Sequence, residues 1–437
     1  MSKKSLPLHI KIFIGLFVGL TLGLLSNIFL KDNKSVEWVV TNLAYPAGQI
    51  FLRMIFMIVI PLIFTAIVLG VADFRDISKI GRVGFKILFF TVIITAVSVI
   101  IGLLIVNIVQ PGTGIPEESR AELIQTLTNN QSVSGIVTKA EESKSFIQIL
   151  IDIIPRNLFV DIVSAFDPNY RGGGLLSIMF FALVFGIGMA MAPIERIDGL
   201  TKTLQGIYDI LMIIINFAMK LAPYGVAGLI FTTAFQLGLQ IVSTLFLYVA
   251  VVLSALSIHM FITYGIILKY AANLKPFIFF KNISEVILTA FSTSSSNATL
   301  PTSIRVSLEK LKLDKDITNF VLTVGSTANQ NGTALYEGIT VLFLAQFYGI
   351  DLSFAQQVLV VLLSILAGVG TAGVPGGSLP LVVMVLQTVG IPAEGIGIIL
   401  GVDRILDMSR TVVNVSGDIV LASWIDKSEK KKHPLLI

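Results

Sequence analysis

Residues 401–424 read GVDRILDMSRTVVNVSGDIVLASW. The stretch is long enough to cross a bilayer, which takes about 20 residues, yet it carries Asp403, Arg404, Asp407, Arg410, Asn414 and Asp418. On a helix turning 100° per residue, with Asp403 at zero, Asp407 falls at about 40°, Arg410 at about −20°, Asn414 at about 20° and Asp418 at about 60°. Thr411 lies at the edge of the same stripe, at about 80°. Leaving five ionisable groups against lipid costs on the order of 10 kcal/mol or more, so the stripe must face protein, water or a ligand. One reading is an internal ladder that pairs Asp407 with Arg410 and Asp403 with Arg404. Asp418 lies two turns beyond the nearest Arg, and a carboxylate there calls for a cation.

The rest of the chain sets the solvent. Of 437 residues, 54% are hydrophobic and 13% charged, and the mean hydropathy is +0.88. A soluble chain of this length carries about twice that charge. Apolar runs recur near 8–30, 39–71, 84–109, 175–192, 207–234, 241–268, 317–347 and 396–425, which makes an all-α polytopic membrane protein of one unit. The second run contains Pro46 and Pro61 and is expected to kink. The formal charge of +4 comes from Lys and Arg in short connections and the tail, where they act as topology signals and not as nucleic-acid contacts. The basic connection 73–86 and the basic tail belong inside and the acid-leaning stretch 110–145 outside. Both termini are then cytoplasmic and the crossings number about eight. The basic start followed by an apolar run without a small-residue cleavage site reads as a retained first helix. No cysteine is present, so neither disulfides nor thiol chemistry enter.

Two stretches are interrupted instead of spanning. Residues 276–309, PFIFFKNISEVILTAFSTSSSNATLPTSIRVSLE, and residues 355–389, with AGVPGGS at their centre, each place a small residue before Leu-Pro. Paired, Gly/Pro/Ser-interrupted segments are the pattern of helical hairpins in inverted halves of a secondary transporter. Non-helical backbone at bilayer depth is tolerated only under protein or beside water, so the tips point at a site. Between the hairpins, GSTANQNGTALYEG (325–338) sets Asn329, Gln330, Asn331 and Gly332 in mid-span. Unwinding there frees carbonyls, hard ligands for a small cation, while buried amides can equally act as glue between helices.

SSSNATLP, NQNGTALYEG, GTAGVPGGSLP and DRILDMSRTVVNVSGD, in that order, resemble the four signature segments of the glutamate/aspartate:cation symporter family, which includes the excitatory amino-acid transporters. The likeness covers essentially the whole chain. It implies a homotrimer in the cell membrane with eight transmembrane helices, two re-entrant hairpins and an elevator mechanism. The scaffold would be about 8–72 and 145–236, and the transport part about 80–110 and 240–425, with hairpin 1 about 276–309 and hairpin 2 about 355–389. The resemblance implies an acidic amino-acid substrate, L-aspartate or L-glutamate, held by Arg410 at its side-chain carboxylate and Asp407 at its ammonium. Thr333, Thr411 and Asn414 would complete the pocket, with hairpin tips Ser294, Ser295 and Ser296, and Val374, Pro375, Gly376, Gly377 and Ser378. Arg404 is implied to tune Arg410 or gating without touching the substrate. It implies Na+ at Asp418 with Gly325, Asn329 and Asn414, and at Thr327, Gly368 and Thr371.

The chain departs from the family pattern where Asn-Met-Asp-Gly-Thr becomes Asn329, Gln330, Asn331, Gly332 and Thr333. Thr91, Ile94 and Thr95 stand where a third sodium site has Tyr, Thr and Ser. A weakened third site is therefore expected, with Asn331 its remaining side-chain ligand. Proton-coupled relatives carry a Glu in span three, and this chain has none there. An enzyme is not expected from a chain with three His, no thiol and no nucleophile close in sequence to a base. The alternatives are a proton-coupled or weakly Na+-dependent acidic amino-acid or C4-dicarboxylate transporter and, outside transporters, a ligand-gated anion channel. Asp407 is typically missing from dicarboxylate carriers and Arg410 from neutral amino-acid carriers, so having both favours acidic amino acids.

Overall fold

The computed structural model describes residues 8–31, 33–72, 77–113, 151, 154–164, 175–370 and 378–432. Among them the secondary structure is helical throughout: α1 (Leu8–Leu30), α2 (Lys34–Val39), α3 (Tyr45–Phe56), α4 (Val59–Ala72), α5 (Ile77–Val109), α6 (Leu158–Ser164), α7 (Leu175–Met191), α8 (Ile194–Leu237) and α9 (Leu239–Ile258). A wide-turn segment carries α9 on to Ala271, followed by α10 (Pro276–Asn282), α11 (Ser284–Thr293), α12 (Ser296–Glu309), α13 (Lys315–Ala328), α14 (Asn331–Tyr348), α15 (Phe354–Gly370), α16 (Leu379–Thr388) and α17 (Ile396–Lys432).

The usual polarity of a folded chain is inverted. Phe17, Phe85, Ile108 and Phe246 are exposed, whereas Asn329, Asn331, Arg410 and Asp418 are buried. Lipid makes that distribution favourable, because apolar outer faces cost nothing there and polar groups must find partners inside. Three helical stretches, Ile10–Leu30, Val83–Val109 and Ile241–Ala271, are each long and apolar enough to cross a membrane, and the pair Ile194–Ile215 and Lys220–Gln236 makes a fourth bent by 50°. Of the other apolar runs, α7 is an apolar helix of 17 residues, and the rest are interrupted or carry charge. The run expected to kink at Pro46 and Pro61 passes through a wide turn at Val40–Ala44 and breaks between α3 and α4. The 317–347 run divides at Asn329 and Gln330. These facts establish a helical, multi-pass membrane protein.

α1 lies along α8, α3 also packs on α8, and α4 packs on α7. The first contact is close because α1 presents Gly15, Gly19 and Gly23. A Cβ on Gly15 would stand 2.2 Å from the Pro223 carbonyl oxygen, and one on Gly19 would stand 2.4 Å from that of Ala227. Small residues at this spacing let helix backbones meet in lipid. A second set of helices surrounds α14, which contacts α5, α15 and α17. From Asn331 to Ala345 every residue of α14 is buried. α17 also packs on α11, α12 and α13, and near its end Lys86 of α5 pairs with Glu429 at 2.5 Å.

Candidate functional site

The site is built where two interruptions of regular helix, after α11 and after α13, meet α17. α11 ends at Ser294, which takes a left-handed conformation (φ 49°), and α12 begins under the Ser295 hydroxyl, which accepts from the Ala298 N–H at 3.2 Å. A run of hydroxyl residues suits this, since Ser competes with the helix for backbone hydrogen bonds and caps well. Ser294, Ser295 and Ser296 are all buried. The break between α13 and α14 puts Asn329 and Gln330 outside the helical region of the backbone (ψ 59° each). A third interruption lies between α15 and α16. Thr371, Val374, Pro375, Gly376 and Gly377 lie outside the described residues, while Ser378 and Gly368 frame them, Ser378 being buried.

On α17, Arg410 is 1% exposed. Its Nε and Nη2 donate to Asp407 Oδ1 at 3.1 and 2.8 Å, and its Nη1 donates to Asp403 Oδ1 at 3.1 Å. Arg404 Nη1 donates to the other oxygen, Asp407 Oδ2, at 3.2 Å. The ladder that is one reading of the sequence is therefore present with one of its two pairs changed: Arg410 holds Asp407, but Asp403 also goes to Arg410, seven residues on and nearly beneath it on the wheel, and not to its neighbour Arg404, which points about 100° away. Two acidic and two basic groups balance in charge. Tyr336 of α14 completes the cluster. Its hydroxyl donates to Asp403 Oδ1 at 2.7 Å, and its ring lies 4.2 Å from the Arg410 guanidinium carbon, a cation over an aromatic face.

One turn along the stripe, Thr411 Oγ1 donates to the Asp407 carbonyl at 2.7 Å. Asn414 reaches across to the break. Its Oδ1 accepts from the N–H groups of Gly332 and Thr333 at 2.7 and 3.2 Å, and its Nδ2 donates to Gln330 Oε1 at 2.6 Å and Thr333 Oγ1 at 2.9 Å. Asn414 thus caps α14 from another helix, since α14 has no side-chain cap of its own. Gly332 is required by this approach, because a Cβ there would lie 2.6 Å from the Arg410 carbonyl oxygen. Asp418 is buried and accepts from Asn329 Nδ2 at 2.8 Å. A Cβ on Gly325 would lie 2.6 Å from Asp418 Oδ1, so the missing side chain leaves the carboxylate against the last turn of α13, which includes Thr327. There the helix runs out and carbonyls lose their regular donors.

Asn331 sits on the other side of the break. Its Oδ1 accepts from Thr95 Oγ1 at 2.6 Å, its Nδ2 donates to the Tyr264 hydroxyl at 3.2 Å, and its carbonyl accepts from Ser98 at 3.0 Å. Ile94 is buried nearby in sequence, and the Thr91 hydroxyl has no partner among the described residues.

The structure brings in groups that the stripe alone did not nominate. Tyr336 and Glu337 follow Thr333 by three and four residues, the spacing that puts them on its helix face. Neither Glu337 carboxyl oxygen has a hydrogen-bond partner among the described residues, and the residue is fully buried. Both lie in ALYEG (334–338), so the residue types are visible in the sequence, but nothing in their spacing sets them against α17.

A sequence profile described as the sodium:dicarboxylate symporter family matches residues 8–428. The chain belongs to that family. This family member is 36% identical over 391 residues to the proton/sodium-glutamate symport protein of Bacillus subtilis, covering 89% of this chain and 87% of the relative. It is 33% identical over 415 residues to the proton/glutamate-aspartate symporter of Escherichia coli, with 94% and 91% covered. With human excitatory amino acid transporter 3 it shares 33% identity over 423 residues, covering 89% and 80%.

Proposed function

We propose that the chain is a secondary active symporter that takes up acidic amino acids, L-aspartate or L-glutamate, coupled to a cation gradient, with sodium the main driving ion. The observation that carries this reading is the buried Asp403, Arg410, Asp407, Arg404 ladder with Tyr336 over it. A ligand bearing one ammonium and two carboxylates can exchange partners with it. Its side-chain carboxylate takes the two-pronged Arg410 guanidinium, its ammonium takes Asp407, and Thr333, Thr411 and Asn414 line the pocket. The α-carboxylate goes to the hairpin tips, Ser294 to Ser296 and Val374 to Ser378, where helix N-termini favour an anion. The printed functions of the relatives, glutamate and aspartate symport, support the same substrate class.

Sodium is assigned to Asp418 with the carbonyls of Gly325, Asn329 and Asn414, and to a second position at Thr327, Gly368 and Thr371. A third position, at Asn331, is impaired by its neutral side chain. A second reading, proton coupling, is favoured by Glu337: an intramembrane carboxyl without a hydrogen-bond partner is a place for a proton. The relatives' names include both ions. The motion is an elevator within a homotrimer having eight spans, two re-entrant hairpins and cytoplasmic termini. The scaffold, about 8–72 and 145–236, includes α1, α3, α4, α7 and α8. The transport part, about 80–110 and 240–425, includes α5 and α9 to α17. Labelled L-aspartate uptake into proteoliposomes, with sodium, proton and potassium gradients imposed separately, tests the reading. Uptake driven by an inward sodium gradient is expected, and equilibration indifferent to every gradient, as through a channel, overturns it.

A further inference from the structure

Gln330 lies at the break between α13 and α14, and its side chain ties that break to α17 and to the first hairpin. Its Oε1 accepts from Asn414 Nδ2 at 2.6 Å, and its Nε2 donates to the Ser326 carbonyl at 2.8 Å and reaches Ser296 Oγ on the first hairpin at 3.5 Å. All three partners are buried. The hydrogen-bonding capacity of Asn414 is thereby consumed: both protons on Nδ2 are given to Gln330 and Thr333, and Oδ1 holds the two N–H groups that start α14. A carboxamide has two donor protons, so a ligand oxygen can reach Asn414 Nδ2 only by displacing one of the two acceptors. The Thr333 hydroxyl rides on the same turn of α14 that Asn414 caps, and is held in place with it. Gln330 Oε1 is carried on a longer side chain with its own anchor at Ser326, and is the acceptor that can withdraw.

We propose that the Gln330 side-chain carbonyl is a built-in placeholder for a carboxylate oxygen of the substrate. In the substrate-free protein it keeps the Asn414 donor satisfied inside the membrane, where an unpaired amide is costly. Substrate must displace it, and the displaced amide is already within reach of Ser296 at the hairpin tip. Gln330 is therefore a positioning residue that sets substrate affinity through Asn414. The proposal rests on the assignment of Asn414 and the hairpin tip to the acidic amino acid.

The test uses purified full-length protein and titration with L-aspartate, together with initial uptake rates in proteoliposomes. Gln330→Met keeps the length and removes the acceptor. The expected result is that the aspartate Kd and the uptake KM both fall about 3- to 10-fold, the scale of one net neutral hydrogen bond, with no rise in maximal rate. Gln330→Glu keeps an acceptor on Asn414 and is expected to give no tightening. A purely structural role predicts equal weakening in both variants, and an unchanged or higher Kd in Gln330→Met overturns the proposal. Gln330→Leu reads the same quantity should the Met variant fail to fold. Wild-type protein that binds no acidic amino acid would refute the proposed function instead, so the two failures are distinguishable.

Discussion

Arg410 Nη2 lies 2.8 Å from Asp407 Oδ1, one helical turn away, and both side chains are buried. Arg410 also holds Asp403, so a single guanidinium neutralises parts of two carboxylates. Removing one member of a buried charge set leaves its partners uncompensated, at roughly 3 to 5 kcal/mol. Arg410→Ala is accordingly expected to lower aspartate affinity by at least about 100-fold and to lower the melting temperature. Neutral amino acids are expected to compete better in the variant than in the parent. Unchanged aspartate affinity would refute the assignment of Arg410 to the side-chain carboxylate.

Asp407 separates two classes of substrate. It accepts from Arg410 and, through its second oxygen, from Arg404, and only an amino acid offers an ammonium to replace them. Asp407→Asn should weaken aspartate far more than succinate or malate, measured as competition against labelled substrate. Because the variant site gains one net positive charge, the dicarboxylates should hold their affinity or improve. Equal losses in both classes would mean that Asp407 serves only to hold the two arginines.

The stripe on α17 and the first hairpin break, at Ser294, were legible from residue type and spacing alone, because helix period and the cost of charge in lipid are strong local constraints. The division of the 317–347 run was one of two open readings, and the second hairpin break lies outside the described residues. Partner choice within the stripe was not legible. Asp403 and Arg404 are adjacent in sequence, yet adjacency on a helix turns their side chains apart, and the preferred partner, Arg410, lies two turns along. Cross-helix partners were also out of reach. Nothing in the order of residues says that Asn414 caps α14, that Tyr336 bonds Asp403, or that Tyr264 bonds Asn331. These depend on how three helices cross, which side-chain packing decides.

The α1 and α8 contact gives a prediction independent of transport chemistry. Gly19 has the Ala227 carbonyl oxygen 2.4 Å from where a Cβ would sit, and backbone cannot yield as a flexible side chain can. Gly19→Val should destabilise the protein by roughly 1 to 3 kcal/mol through forced separation of the helices. The check is the melting temperature in detergent, with Gly206→Ala as comparison, since a Cβ on Gly206 meets nothing within 4 Å. A Gly19→Val melting temperature equal to wild type would show that the two helices do not need this close approach.

Sodium dependence is the sharpest test of the ion assignment. Ions and substrate are linked only to the extent that both stabilise one conformation, and each lost ligand weakens that linkage. The Asn331 amide already has partners on both sides, Thr95 giving to its oxygen and Tyr264 taking from its nitrogen, so a cation there would have to displace hydrogen bonds without gaining a negative charge. Asp418 keeps its carboxylate and bonds only a neutral amide among the interactions described. Aspartate affinity is therefore expected to rise with sodium with a log-log slope of about one to two. Asn331→Asp restores the charge and should steepen that slope, while Asp418→Asn should flatten it. A slope near three in the wild-type protein would show that the amide oxygen coordinates sodium after all. A slope near zero, with uptake driven by a pH gradient and abolished in Glu337→Gln, would move the coupling to Glu337.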